Sequence, residues 1–514
     1  MNHVLSGLAT NTALPSELVD RLIAVADADL AHHLAGREDL SHAQAVALFS
    51  RDPESGVRLA YARKLTAADV EPAVRPDTAL ALLDEGSGGP EWARLFAADP
   101  VARHREKLAA CPRLPADVVE MLAADTDPSV VAELALWTTP ETAARLAEHP
   151  HAEVRRAVAL NEATPPDVLA ALISGEGLPP ARHCSVCDRE ATPFTHDPEC
   201  SRPDCDLLPG ASCDGSHESA VHAQWVAALG NPATPTDAVV RFADHPSTPV
   251  RWTLAARPDL PPQVCARLAS DPVPGVRSDL AENPAIGEDT IRVLAGDRDP
   301  EVRRGLARNP CVPLDVITEL ARTTKVGATL LPRIAAATPA EIRELARSTD
   351  PAARMLVAQR RDLPPDIRDA LAGDPDAKVV KSVAPHPGLA EGLLRSMVDR
   401  HGVRVLAKVA VNPEATPGLL EHLTRQAPPP QKAFREIARH RNATPEALLS
   451  CLADHQARPW AAGHPALPPR VIVELLADAD WQVAQAAAAN PSMPPAVMEE
   501  LVSRLPDKPV VTAD

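Results

Sequence analysis

A fixed 26-residue step constrains this chain more than any other feature in it. Asn231, Arg257, Asn283 and Asn309 open successive copies of one pattern and lie 26 residues apart. The copies read NPATPTDAVVRFADHPSTPVRWTLAA, RPDLPPQVCARLASDPVPGVRSDLAE and NPAIGEDTIRVLAGDRDPEVRRGLAR, followed by NPCVPLDVITELAR. A period of roughly 20–50 residues marks an array of stacked supersecondary units, because one such unit cannot bury its apolar face alone.

The copy from Arg257 to Glu282 shows what one repeat must do. Pro261 and Pro262 sit at a helix start, where a missing N–H does no harm. Val264, Leu268 and Ala269 then recur at helical spacing. Asp271-Pro272 breaks that helix and offers a cap to the next. Val276, Leu280 and Ala281 make the apolar stripe of a second helix. Asn283-Pro284 ends it, since asparagine tolerates left-handed backbone and proline cannot continue the turn. Neither helix is long enough to be stable by itself, so stacking must supply the stability. The expected class is all-α: a solenoid of roughly 26-residue two-helix repeats.

A second column runs in step with the apolar one. Asp271 and Arg277, Asp297 and Arg303, and Asp52 and Arg58 are each six residues apart. Arg105, Arg155, Arg251, Arg354 and Arg458 fill the same place in other copies. The column reads either as a basic stripe for a ligand or as an Asp–Arg ladder joining repeats. Its recurrence in register with the core positions favours the ladder.

The L-A-x-N-P-x-x-P and D-P-x-x-x-V-R pieces resemble the leucine-rich repeat variant family and, more distantly, HEAT repeats. The resemblance implies a right-handed superhelix in which α-helices alternate with 3₁₀ or short α-helices. The 26-residue step is slightly longer than that family's usual repeat, which leaves the type of the second helix open.

Aromatic residues are only 2% of the 514, too few for a large globular core, so Leu, Val and Ala must fill a thin repeat core. The 55 prolines fall in register with helix starts and breaks. A formal charge of −18 disfavours nucleic-acid binding. No apolar run approaches the roughly 20 residues needed to span a bilayer, and the start shows no signal peptide. We therefore expect a cytoplasmic protein without membrane insertion. Repeats begin at once, Asn11 and Arg37 being 26 apart, and roughly 17 copies can be counted. DEGSGGPE at 84–91 and QAPPPQK near 430 read as loops. The expected organisation is an N-terminal array over 1–173, a cysteine-rich insertion over 174–222, a C-terminal array over 223–504 and a frayed tail over 505–514.

The insertion loses the helical period and has few apolar residues, so something other than a core must hold it. Five of the nine cysteines lie in it. Cys184-x2-Cys187, Cys200-x4-Cys205 and Cys213-x3-His217 have the spacing of metal ligands, with His183, His196 and His222 nearby. A metal would supply the folding free energy the segment lacks. Zinc suits Cys184, Cys187, Cys200 and Cys205, with Cys213 or His217 as an alternate ligand. A four-thiolate iron–sulfur cluster fits equally. The family resemblance adds weight to a 4Fe-4S cluster over a 2Fe-2S one, because some members carry such a segment ahead of their repeats. Cys213-Asp214-Gly215-Ser216-His217 also spells the core of the CDGSH two-iron family. The C-x-C pair that family needs is replaced by Arg202 and Asp204, and Pro209 stands four residues before Cys213 rather than two. The remaining cysteines, Cys111, Cys265, Cys311 and Cys451, read as small buried apolar groups.

No phosphate loop, H-E-x-x-H or G-x-S-x-G is present. His386, His440 and His464 stand where other copies open on asparagine and take over its capping role. Together these features point to a non-enzymatic protein-binding scaffold, with a protein partner on the solenoid surface and a structural metal module. The alternative is an iron–sulfur redox or sensor protein that docks its partner through the solenoid.

Overall fold

The computed structural model describes residues 2–184, 217–327, 329–426 and 431–505. Among these residues there are short α-helices, a few 3₁₀ turns and no β-strand. They divide into two compact units: Met1–Asp69 with Val326–Asp514, and Val70–Lys325. No helix among them is long and apolar enough to cross a membrane.

In the Val70–Lys325 unit each repeat is helix, turn, helix. Pro262–Leu268 precedes Pro274–Glu282, and Glu288–Ala295 precedes Pro300–Arg308. Proline opens three of these four helices, as its fixed φ and missing donor favour. Nearly every second helix is α rather than 3₁₀. Second helices lie side by side in chain order, Ala102–Ala109 on Pro128–Trp137 on Ala152–Leu160 on Glu218–Gly230, and so on to Pro300–Arg308. Their inward stripe is Val276, Leu280 and Ala281 in one repeat and Val302, Leu306 and Ala307 in the next, all at most 1% exposed. Each buried Val or Leu contributes about 1.5–3 kcal/mol, and helices of seven to ten residues depend on it.

The residue that opens each repeat works differently from the expectation. Asn231, Asn283 and Asn309 have extended backbone, with φ near −70° and ψ near 120°, not left-handed. The proline that follows excludes helical geometry, and extended backbone satisfies it without strain. The work is done by the side chain. The Asn309 amide donates to the carbonyls of Ala281 at 3.0 Å and Asn283 at 2.7 Å, on either side of the preceding repeat's start, and its oxygen accepts the Cys311 N–H at 2.8 Å. Asn161, Asn231, Asn283, Asn412 and Asn490 reach back in the same way. Arginine can fill the place. Arg257 donates to the carbonyls of Leu229 and Asn231, and Arg37 to those of Ala9 and Asn11. Three arginine openers pair with an aspartate two residues on: Arg37–Asp39, Arg257–Asp259 and Arg360–Asp362. Histidine fills it too, His440 reaching the Asn412 carbonyl at 2.8 Å and His464 that of His440 at 3.1 Å.

His386 is the least satisfied member of this column. It donates to the Ala358 carbonyl, but its Nδ1 has no partner among the described residues. The N–H that would meet it, that of Gly388, goes to Glu414 instead. Burial, followed by the charge of Arg361, lowers its pKa from an ordinary 6.5 to about 4. Between those values the unfolded chain binds a proton that the folded chain refuses, so stability falls as pH falls. At pH 5 the loss is about 2 kcal/mol. Urea unfolding at pH 7 and pH 5 should show that His386→Asn removes about this much of the pH dependence. An unchanged difference would mean that His386 is not buried neutral.

The Asp–Arg column is a ladder between repeats. Arg277 holds Asp297 of the next repeat through two nitrogens, at 2.7 and 3.0 Å, and donates to the Asp271 carbonyl of its own turn at 2.7 Å. Arg105–Asp125, Arg251–Asp271, Arg354–Asp374 and Arg458–Asp478 repeat the 20-residue reach. Arg303 meets Thr324 in place of an aspartate, and Arg58 turns back to His32. Arg155 reaches the Pro179 carbonyl, at the start of the insertion, at 2.7 Å.

In the other unit the two ends of the chain belong to one stack. Asn11 donates to the carbonyls of Ala488 and Asn490 at 3.0 and 2.8 Å, the contacts an opener makes with the repeat before it. Helix Asn2–Thr10 packs on Trp481–Ala488, and Ser16–Val25 on Pro495–Ser503. Gly7 permits the close approach, since a Cβ there would lie 2.2 Å from the Gln485 carbonyl oxygen. Repeats of an array hide their apolar faces by stacking, and here Asn2–Thr10 covers Trp481–Ala488.

Candidate functional site

The insertion leaves and rejoins the array at one place. Pro150 accepts from the N–H groups of Arg182 and His183, and the Ala152 N–H donates to the His183 carbonyl at 2.9 Å. Cys184 is 2% exposed and packs with Ala152 and Ala220, against Ala181. His217, also buried, sits at the start of helix Glu218–Gly230, three residues before Ala220. The array then continues across the insertion. Asn231 reaches the carbonyls of Ala159 and Asn161, each at 2.9 Å, although 70 residues rather than 26 separate the two openers. Residues 218–222 belong to the resumed helix.

Of the six proposed ligands, Cys184 and His217 are therefore brought to the two feet of the insertion. Cys187, Cys200, Cys205 and Cys213 lie outside the described residues, as does His196. Among the described residues no group of three or more His, Cys, Asp or Glu is arranged around a metal position. His222 is directed elsewhere, to the Ser247 hydroxyl at 2.6 Å. His149 and His151 act as turn caps, accepting the N–H groups of His151 and Glu153. Burial, with His151 nearby, holds His149 below the ordinary histidine range, which suits an acceptor.

The scattered cysteines are mostly inert. Cys111, Cys265 and Cys451 are buried, and burial pushes the Cys111 and Cys451 thiols up to about 12. Cys311 is exposed, contrary to its expected burial, because it follows an opener proline where the chain turns outward.

With the shared columns occupied in stacking, the outer stripe of the second helices is what varies between repeats. That face carries exposed tryptophan in each of the two units. Four of the six tryptophans are 42–67% exposed: Trp137, Trp252, Trp460 and Trp481. Each lies on a second helix. The Trp137 indole N–H donates to Glu133 at 2.9 Å. Trp252 donates to Asp279 and lies over Gly275, leaving no room for a Cβ there. Trp460 lies under the Arg439 guanidinium at 4.5 Å, and Trp481 is 4.8 Å from the His3 ring. Tryptophan is enriched in interfaces relative to the rest of the surface.

A cleft of about 400 Å³ opens between Pro128–Trp137 and Ala152–Leu160. Leu136, Ala157 and Leu160 make its apolar wall; Glu106, Asp127, Glu133 and Glu153 line it with His151 and Arg156. Neither the cleft nor the indole stripe is visible to sequence patterning, though one signal exists. Trp137 stands at an opener position, where other repeats place a donor that points inward.

No protein-family model matches the chain, and no curated protein does. Among solved structures it is similar to a homology model of the full-length AP-3 complex in an intermediate open conformation. That match has 12% identity over 94% of this chain and 86% of that one, with a TM-score of 0.22. It is also similar to a structure of the Pds5-Scc1 complex, at 14% identity over 92% of this chain and 66% of that one, with a TM-score of 0.16. Likenesses of this size carry no argument about function, and the fold rests on the helix packing described above.

Proposed function

We propose that this chain is a non-enzymatic protein-binding scaffold of the leucine-rich repeat variant or HEAT-like kind, acting in the cytoplasm. The observation that supports it is the division of labour between surfaces. The columns common to the repeats are engaged in stacking, while four half-exposed tryptophans lie on the varying face of the second helices. Affinity capture from native extract should retain a protein partner with the intact chain and lose it with Trp137→Ala and Trp252→Ala. Turnover of a small molecule by the purified chain, with no partner captured, would overturn the reading.

The insertion is proposed as a metal-held loop. Cys184, Cys187, Cys200 and Cys205 would be the ligands, with Cys213 or His217 as the alternate. Zinc bound there supplies folding free energy to a segment with few apolar residues. Protein purified without oxygen should contain about one zinc per chain and be colourless. Brown protein with iron and labile sulfide would replace this reading with the redox one, in which a thiolate-bound cluster exchanges electrons with a docked partner.

A further inference from the structure

We propose that the joint between the two ends of this chain is an exchangeable interface, at which the first helix of a second copy completes the last repeat. Two rows of helices meet at the joint. In the row of second helices, Arg458–Ala462 packs on Trp481–Ala488, Trp481–Ala488 on Asn2–Thr10, and Asn2–Thr10 on Ala28–Leu34. In the row of first helices, Pro495–Ser503 packs on Ser16–Val25, and Ser16–Val25 on His42–Arg51. Asn490 opens a repeat whose first helix is Pro495–Ser503, and its second helix is Asn2–Thr10. Asn11 then opens the next repeat. It reaches Ala488 and Asn490 as Asn309 reaches Ala281 and Asn283, and its oxygen accepts the Ala13 N–H at 2.8 Å as that of Asn309 accepts Cys311. One repeat is therefore assembled from opposite ends of the sequence.

The joint has the specificity of an internal repeat contact without the chain running through it. Leu8 and Ala9 are fully buried on one side, and Ala487 and Ala488 on the other. Gly7 lies so close that a Cβ on it would come within 2.9 Å of the Ala488 Cβ. One repeat earlier, Arg458 ties the stack to Asp478; at the joint Ala484 stands in the arginine's place and makes no rung. Opening the joint leaves each side's own packing intact, Asn2–Thr10 on Ala28–Leu34 and Trp481–Ala488 on Arg458–Ala462. A face that recognises one copy's first helix recognises every copy's, which is the condition for exchanging an identical element between molecules. In a single molecule the linked ends meet at high effective concentration, so the closed monomer prevails in dilute solution.

The test uses two full-length variants. Gly7→Leu with Asn11→Ala spoils the donated helix and leaves the receiving face intact; Ala488→Leu spoils the receiving face and leaves the donated helix intact. Circular dichroism checks that each folds, and Ala488→Val, a smaller addition at the same contact, replaces Ala488→Leu if it does not. Light scattering at high micromolar chain should find each variant monomeric alone. An equimolar mixture should form a one-to-one heterodimer and stop there, because the remaining pair of faces carries both changes. A mixture that stays monomeric would overturn the proposal. Equal self-association of either variant alone would also overturn it, since uncovered apolar faces would then be adhering without regard to partner. Neither result touches the scaffold reading, which rests on other surfaces.

Discussion

Replacing Asn309 with alanine is expected to lower the stability of its unit by about 3–5 kcal/mol, among the larger effects a single substitution produces. Asn309 is fully buried and makes three hydrogen bonds that join two repeats. Alanine removes all three. It leaves the carbonyls of Ala281 and Asn283 and the Cys311 N–H short of a partner where water has poor access, at about 1–3 kcal/mol for each fully orphaned group. Guanidinium unfolding followed by far-UV circular dichroism measures the loss. The column also predicts a rescue. Asn309→Arg alone places a guanidinium without its acid, whereas Asn309→Arg with Cys311→Asp recreates the arrangement at Arg257 and Asp259. The double variant should recover more than half of the loss. No difference between the single and double arginine variants would refute the shared role assigned to this column.

The second large effect is at Arg277. Its partner Asp297 has a side chain only 10% exposed, and Arg277 itself is 15% exposed. Removing one member of a buried, hydrogen-bonded pair leaves the other charge without compensation, at about 3–5 kcal/mol. Partial solvent access places Arg277→Ala nearer the lower end of that range. A similar N···O distance at the surface does far less. Arg94 and Asp117 meet at 2.6 Å, but both are more than half exposed, where water screens the pair and the long side chains lose freedom. The Arg277 hydrogen bond also holds the Asp297 carboxyl below the usual carboxylate range. Its stabilisation is therefore complete above about pH 4 and disappears as pH falls through the lowered value. Arg277→Ala should make unfolding less sensitive to acid in that range, read from melting temperatures at pH 3 and pH 6.

The repeat itself was legible because its signals are local. Pro262 and Pro300 at helix starts, and Val276 and Leu280 at helical spacing, need only their neighbours to be understood. The choice of an Asp–Arg ladder over a ligand stripe was also within reach, since the column keeps step with the core. The opener was found but misread. Its side-chain targets lie 26 and 28 residues back, so local backbone preference pointed to a left-handed cap that the following proline forbids. The R-x-D signal at Arg37, Arg257 and Arg360 was present and would have revealed an inward-pointing cation. Nothing local places Asn11 on Asn490, because that contact joins the ends of the chain. The cleft between Pro128–Trp137 and Ala152–Leu160 depends on how two helices from successive repeats are spaced, which no periodicity encodes. For the metal module, the spacing named six candidate ligands; Cys184 and His217 stand at its feet and the other four lie outside the described residues.

A double-mutant cycle on Arg277 and Asp297 tests the central claim most directly, that the columns shared by the repeats hold the stack and leave binding to the variable face. The measurement is the unfolding free energy of the native chain, of Arg277→Ala, of Asp297→Ala and of both together. The predicted result is a coupling of about 2 kcal/mol or more, with partner binding unchanged in every variant that folds. Coupling within about 0.5 kcal/mol of zero, together with loss of partner binding in Arg277→Ala, would instead make the column a ligand stripe and contradict the account.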